Sequence, residues 1–218
     1  MKMQKSTIVT IAVIIALIGF GIFLMNTDGP GTVPDNGGAE VEGLSASDWV
    51  TGNRDASVVV IEYGDFQCPA CGAYHPILKQ LKSEFGDRVA FVYRHFPLRS
   101  IHQNAEASAR ATEAAGKQGK FWEMHDVLFE RQTEWGNQLG AIGLINGYAE
   151  ELGLDMERYE ADLKSDEIAD LVNEDLQSAI RNGLSSTPTF VLDGKVIQTP
   201  RSVGEFQTLL NTALNPEQ

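Results

Sequence analysis

Two cysteines occur in 218 residues, and both stand in one motif, Cys68-Pro69-Ala70-Cys71, directly after a β-branched run. That junction constrains the fold more than any other feature, because a strand must end and a helix must begin within a few residues. The run Ser57–Tyr63 (SVVVIEY) is short and bounded by Asp55-Ala56 and Gly64-Asp65, the pattern of a buried strand. Pro69 suits the first helical position, where its missing N–H would have no partner in any case. Tyr74, Leu78, Leu81 and Phe85 continue at helical spacing, with Pro76 as an expected kink.

The remaining segments extend an α/β order. Arg88–Phe96 (RVAFVYRHF) alternates Val89, Phe91 and Tyr93 against Ala90, Val92 and Arg94, which predicts a second strand. From about His102 to Asn182 the pattern is helical, punctuated by Gly116, Gly119, Gly136, Gly153 and Asp155 and stopped by Asn182-Gly183. Thr189–Leu192 and Lys195–Gln198 flank Asp193-Gly194, a two-residue hairpin turn. Ser202-Val203-Gly204-Glu205 is a capping-box signature that opens a last helix through Leu214.

The motif carries the chemistry. Cys68 would cap the helix, where unpaired backbone N–H groups and the helix dipole stabilise a thiolate. Cys71, three residues on, falls on the same helix face within bridging reach. An acidic attacking thiol and a shielded resolving thiol are what disulfide exchange requires. Zinc would need two further Cys or His ligands, and His75, His95, His102 and His125 form no recognisable pair in sequence. Covalent haem needs His after the second Cys, where Gly72 stands. A structural bridge across so small a loop would stabilise little. The expected site thus holds no metal and no cofactor beyond a redox-active Cys68–Cys71 disulfide.

Near the amino terminus, Ile8–Met25 (IVTIAVIIALIGFGIFLM) is uncharged and almost wholly apolar. Eighteen residues at about 1.5 Å give roughly 27 Å, close to the hydrocarbon thickness of a bilayer. Lys2 and Lys5 precede the run, and Asp28, Asp35, Glu40 and Glu42 come after it. The positive-inside rule therefore predicts a cytoplasmic stub (1–7), a membrane anchor (8–25) and an extracytoplasmic remainder. A cleaved signal peptide is the alternative, and it too exports the remainder of the chain. Gly- and Pro-rich residues 26–47 read as a flexible linker, with Trp49 docking on a folded unit at 48–218. A net charge of −13 with no basic run argues against a nucleic-acid surface.

Val60-Ile61-Glu62-Tyr63-Gly64-Asp65-Phe66-Gln67 leading into Cys68-Pro69-Ala70-Cys71 resembles the DsbA-like branch of the thioredoxin superfamily. So do Gly52-Asn53 with Asp55-Ala56, Tyr93-Arg94-His95-Phe96-Pro97-Leu98, Gly119-Lys120-Phe121-Trp122 and Thr187-Pro188-Thr189-Phe190. The resemblance spans roughly Trp49 to Leu214 and implies a thioredoxin fold with a helical subdomain inserted at about 100–183. It implies that Pro188 is cis beside the nucleophile, leaving the Thr187 backbone free to pair with a substrate chain; ordinary strand rules would make Pro188 merely the opening of an edge strand. Glu62 matches the family's buried acid, which would relay the proton of Cys71; otherwise it is a strand-end glutamate facing water.

Ala70 stands where DsbA-type oxidases often carry a His that makes the disulfide strongly oxidising, so a somewhat less oxidising poise is expected. No dimerisation domain is read in 26–47, which favours a monomeric oxidase over an isomerase or reductase. Substrates would be thiols of exported or unfolded proteins, with a membrane redox partner for recycling. A reductase or isomerase with the same cysteines, or a tethered module that binds without catalysis, are the competing functions. Phe121, Trp122, His125, Leu128 and Phe129 share a helix face that packs in the core or else lines a peptide-binding groove. His95 and His102 are expected to be hydrogen-bonded structural residues, with a catalytic role as the alternative, and Glu150-Glu151 with Asp162 to Asp175 read as a solvated acidic face.

Overall fold

A computed structural model describes residues 40–216 of the chain. The expected anchor, the stub and most of the expected linker lie outside these residues. Among the described residues, no helix is long and apolar enough to cross a membrane.

The strands are β1 (Trp49–Gly52), β2 (Val58–Gly64), β3 (Val89–His95), β4 (Thr189–Leu192) and β5 (Lys195–Ile197). The helices are α1 (Pro69–Phe85), α2 (Ala105–Gly116), α3 (Phe121–Glu130), α4 (Gln132–Trp135), α5 (Ile142–Glu151), α6 (Met156–Leu163), α7 (Asp166–Arg181) and α8 (Val203–Leu214). One mixed sheet runs β1-β3-β2-β4-β5, with β2 and β3 parallel and the other neighbours antiparallel. The parallel pair is joined by the α1 crossover, and both its strands are buried on two faces.

Residue parity in β2 divides the core. Val58 and Val60 join Phe91, Phe190 and Leu192 on the face that packs against Leu78, Leu81 and Phe85 of α1 and Phe206 and Leu210 of α8. Ile61 and Tyr63 face the other way, onto Leu176 and Ala179 of α7. A third cluster holds the helices between β3 and β4 to the strand ends, through Phe66, Tyr93, Phe121, Met124, Leu128, Trp135 and Tyr159.

Several details differ from the sequence reading. The sequence pattern does not announce β1: Trp49 does not merely dock but opens an edge strand, stacked on Phe121 at 4.8 Å and donating through Nε1 to Glu113 at 3.0 Å. Residues 40–47, read as the end of a linker, pack on the domain. Val41 is 1% exposed, and its N–H donates to Gly194 O. Arg94 fixes this segment by donating to the Glu42 and Gly43 carbonyls and pairing with Asp48 at 2.9 Å. A polar stretch thus gains order from a buried guanidinium, a partner more than forty positions away that local composition does not register. Asp175 is likewise no solvated acid: it accepts from His95 N–H at 2.8 Å, and burial raises its pKa to about 7.

Other local expectations hold. Ser202 Oγ accepts from Glu205 N–H, while the Glu205 carboxylate reaches back to Arg201 N–H, one residue further than a capping box would place it. The hairpin turn is Asp193 (φ 48°) and Gly194 (φ 80°). A Cβ on Gly194 would also lie 2.9 Å from Glu40 Cγ. Gly194→Ala is therefore expected to cost about 1–2 kcal/mol, the left-handed penalty for a side chain, read as a lowered urea midpoint at unchanged slope.

Candidate active site

The junction that constrains the sequence also builds the site. β2 ends at Gly64, where a side chain is excluded: an added Cβ would lie 2.5 Å from the Tyr93 ring. Asp65, 2% exposed, then folds the loop. Its Oδ1 accepts from Gln67 N–H at 2.8 Å, and its Oδ2 accepts from Leu98 N–H at 2.9 Å and pairs with His102 Nδ1 at 2.7 Å. Its carbonyl accepts from Cys68 N–H at 3.0 Å. Cys68 becomes the N-cap of α1 with φ −70° and ψ 120°, and Pro69 opens the first turn.

The helical block braces this loop from the other side. Gln132 Nε2 donates to the carbonyls of Phe66 at 2.7 Å and Cys68 at 2.9 Å. Gln67 donates to Gly136 O at 2.6 Å and accepts from Asn104 N–H at 2.7 Å. Nothing in the sequence singles out Gln67, Gln132 or Asn104; isolated amides carry no spacing signal, and only the packed helices reveal their roles.

Cys68 is 7% exposed and Cys71 fully buried, with both thiols free and Pro69 and Ala70 exposed between them. A hydrogen bond from the Cys71 thiol, against the opposing effect of burial, pulls the Cys68 pKa down to about 5. The Thr187 side chain and the N–H groups of Cys71 and Ala70 add to that pull. Burial and the hydrogen bond to Cys68 push the Cys71 thiol well above its ordinary range. The two sulfurs are therefore driven apart in acidity, as attack and resolution demand.

Thr187 and Pro188 form the opposite wall. The Thr187–Pro188 peptide is cis, Pro188 is buried, and the Cys68 thiol lies 3.5 Å from the Thr187 carbonyl. Thr189, the first β4 residue, pairs with Tyr63 in the sheet.

Glu62 does not face water. It is 4% exposed, and its Oε1 has no hydrogen-bond partner among the described residues. Burial raises its pKa to about 7, against the pull of Lys82 and with a push from the Cys68 charge. Lys82, from α1, is lowered to about 8 by burial and lies 4.2 Å above the Trp122 ring. Glu62, Lys82, Leu78 and Trp122 help line a cavity of about 10 Å³, roughly the space of one water. Lys82 is not among the residues expected at the site, since a lysine at a helical surface position is usually solvated.

His95 and His102 are hydrogen-bonded to carboxylates, at 2.9 Å to Glu113 and 2.7 Å to Asp65. The sequence indicates no recognisable histidine pair, yet His75 and His125 come together across α1 and α3 with ring centroids 5.6 Å apart.

Known proteins share this architecture. A family model described as thioredoxin matches residues 45–212. The chain is similar to Bacillus subtilis BdbD in its oxidised crystal form, with a TM-score of 0.72 and 24% identity over 81% of this chain and 98% of that one. A thioredoxin-like oxidoreductase from Silicibacter pomeroyi aligns with a TM-score of 0.66 and 25% identity over 78% of this chain and 93% of that one. Wolbachia pipientis alpha-DsbA1 aligns with a TM-score of 0.71 and 18% identity over 79% of this chain and 94% of that one. Among curated sequences, the Na(+)/H(+) antiporter NhaA 1 of Salinispora arenicola is 43% identical over 148 residues, which is 68% of this chain and 22% of that protein. NhaA 3 of Salinispora tropica is 39% identical over 166 residues, 76% of this chain and 24% of that protein. The chain spans about a quarter of the length of these curated relatives.

Proposed function

Because the chain belongs to the thioredoxin family, we propose that it is a DsbA-like thiol:disulfide oxidoreductase, a dithiol oxidase that introduces disulfides into exported proteins. The observation that carries this reading is the Cys68 sulfur at the head of α1, held as a thiolate near neutral pH while its partner is kept protonated. A stabilised thiolate stabilises the reduced pair, and a pair that prefers to be reduced gives its disulfide away. A Cys68 pKa of about 5 lies well below the ordinary thiol range, as the leaving group of a disulfide donor requires.

The exchange balances in atoms and electrons. A substrate thiolate attacks Sγ of Cys68 in the Cys68–Cys71 disulfide; that S–S bond breaks, and the sulfur of Cys71 leaves with the electron pair and takes up a proton. A second substrate thiolate then attacks the substrate sulfur of the mixed disulfide and expels Cys68 as thiolate. Two substrate thiols are oxidised to one disulfide, and the enzyme pair holds the two electrons. Thr187 would pair with the extended substrate chain, with Pro188 as the wall behind it. Glu62, with a pKa near neutrality and Lys82 beside it, would supply the proton to Cys71, whose own acidity responds to the Glu62 charge.

An anchored, extracytoplasmic setting with a membrane reoxidant completes the proposal. It rests on the apolar run Ile8–Met25 and its flanking charges.

The reduction potential of the full chain, measured against glutathione buffers with trapping of free thiols, tests the direction. A value well above the roughly −270 mV of thioredoxin supports donation of disulfides. A thioredoxin-like value overturns the oxidase reading in favour of a reductase. Glu62→Gln is expected to remove the inflection near pH 7 from the rate of substrate oxidation and to slow the reaction about tenfold or more at neutral pH, as read by stopped-flow fluorescence. An unchanged pH profile would exclude Glu62 from proton transfer.

A further inference from the structure

Two helices that the sequence keeps far apart converge in a cluster that disulfide exchange does not use. His75 from α1 and His125 with Asp126 from α3 each offer a ligand atom, and these atoms all lie within 4.8 Å of one another. Both imidazoles are deeply buried, at 6% and 1% exposure. Neither ring nitrogen of His75, and not Nε2 of His125, has a hydrogen-bond partner among the described residues. Their other neighbours are aromatic: Phe129 stacks on His75 at 5.4 Å, and Tyr93 and Trp122 lie edge-on to His125 at 4.9 Å. Imidazole nitrogens buried unpaired among apolar rings are costly, and a ligand that accepts their lone pairs removes that cost.

The local chemistry suits a metal. His125 Nδ1 lies 2.9 Å from Asp126 Oδ1, a contact that holds the carboxylate beside the ring and leaves Nε2 of His125 unpaired. Three of the four ring nitrogens are buried without a partner among the described residues, and a neutral imidazole offers such a nitrogen as a lone-pair donor. Glu130 Oε1, 3.9 Å from His75 Nε2, adds an oxygen on the outer side. Two cations also face the cluster: Lys79 pairs with Glu130 at 2.6 Å, and Lys82 is drawn to Asp126. The two carboxylates, Glu130 and Asp126, balance them.

We propose that His75, His125 and Asp126 form a binding site for a divalent transition metal of the zinc class, separate from the Cys68–Cys71 pair. Two imidazoles and one carboxylate match the preferences of zinc and its borderline neighbours, and leave a fourth position for Glu130 or water.

The cysteines would bind the same metals when reduced, so the test uses the full chain with the Cys68–Cys71 disulfide formed. Titration with Co²⁺ is expected to saturate at one ion per chain, giving visible d–d bands without a sulfur-to-metal charge-transfer band, and Zn²⁺ should displace it. Asp126→Asn, a change of charge with little change of volume, should weaken binding about tenfold or more. His75→Phe should abolish it, and if that variant fails to fold, Asp126→Asn decides alone. Absence of saturable uptake by the oxidised wild-type chain overturns the site. So does uptake that Asp126→Asn leaves unchanged.

Discussion

Cys68→Ser is expected to abolish disulfide transfer to a reduced test protein, a loss of roughly a thousandfold or more, while leaving the fold intact. The reason is geometric. Cys68 Sγ sits at the start of α1 beside the Thr187 carbonyl, whereas Cys71 is fully buried and cannot meet a substrate chain. A serine oxygen at position 68 can cap the helix but cannot form the mixed disulfide. Cys71→Ser should fail differently, by leaving Cys68 able to form the mixed disulfide with no resolving thiol to release it. Covalent complexes that disappear on reduction should then accumulate with that variant and be visible on non-reducing gels. Full retention of function by Cys68→Ser would favour a module that binds without catalysis.

The second expected result concerns stability. Relative to the oxidised form, the reduced domain should gain stability as pH rises from about 5 to about 9. Cys68 has its folded pKa depressed to about 5, from an ordinary value of 9.0 for the unfolded thiol. The folded state therefore binds fewer protons throughout that window, and stability rises with pH at up to about 1.4 kcal/mol per unit. The contribution is complete above the unfolded value and disappears as pH falls through the folded one. At neutral pH it amounts to about 2–3 kcal/mol, or several degrees in Tm for a domain of this size. Asp175 is raised by surroundings common to both redox forms and cancels in the difference; Glu62 cancels except for the part of its rise that comes from the Cys68 charge, which opposes the trend. Cys71 stays protonated across the window because burial pushes it upward. Urea denaturation of both forms at pH 4.5, 7 and 8.5 checks the slope. A difference that does not vary with pH would remove the thiolate argument and the oxidase reading built on it.

The parts of the site that were legible in sequence share a property. Cys68, Pro69 and Cys71 act through local geometry, because a strand followed at once by a proline-opened helix fixes the N-cap and the helical face together. The Asp193-Gly194 turn, the Ser202 cap and the Gly183 stop were legible on the same grounds, each being set within about four residues. Thr187, Pro188 and Glu62 were named only through family resemblance. Nothing in their own neighbourhoods says that β4 will lie beside β2, or that position 62 will be enclosed. Trp49 shows the limit most clearly: its strand exists because β3 has a free edge and Glu113 offers an acceptor, and neither fact is near it in the chain.

By itself, the sequence determined where strand gives way to helix, which two sulfurs meet, and that the chain carries a net negative charge. Periodicity, turn chemistry and charge are local or additive quantities, so one chain read in order suffices for them. The tertiary structure alone decided how far burial raises Cys71, that Glu62 and Lys82 are enclosed together, that Gln132 clamps the Cys68 carbonyl, and that His75 meets His125. Those properties depend on desolvation and on partners contributed by distant helices. Burial is a property of the whole packed chain, and no window of sequence contains it.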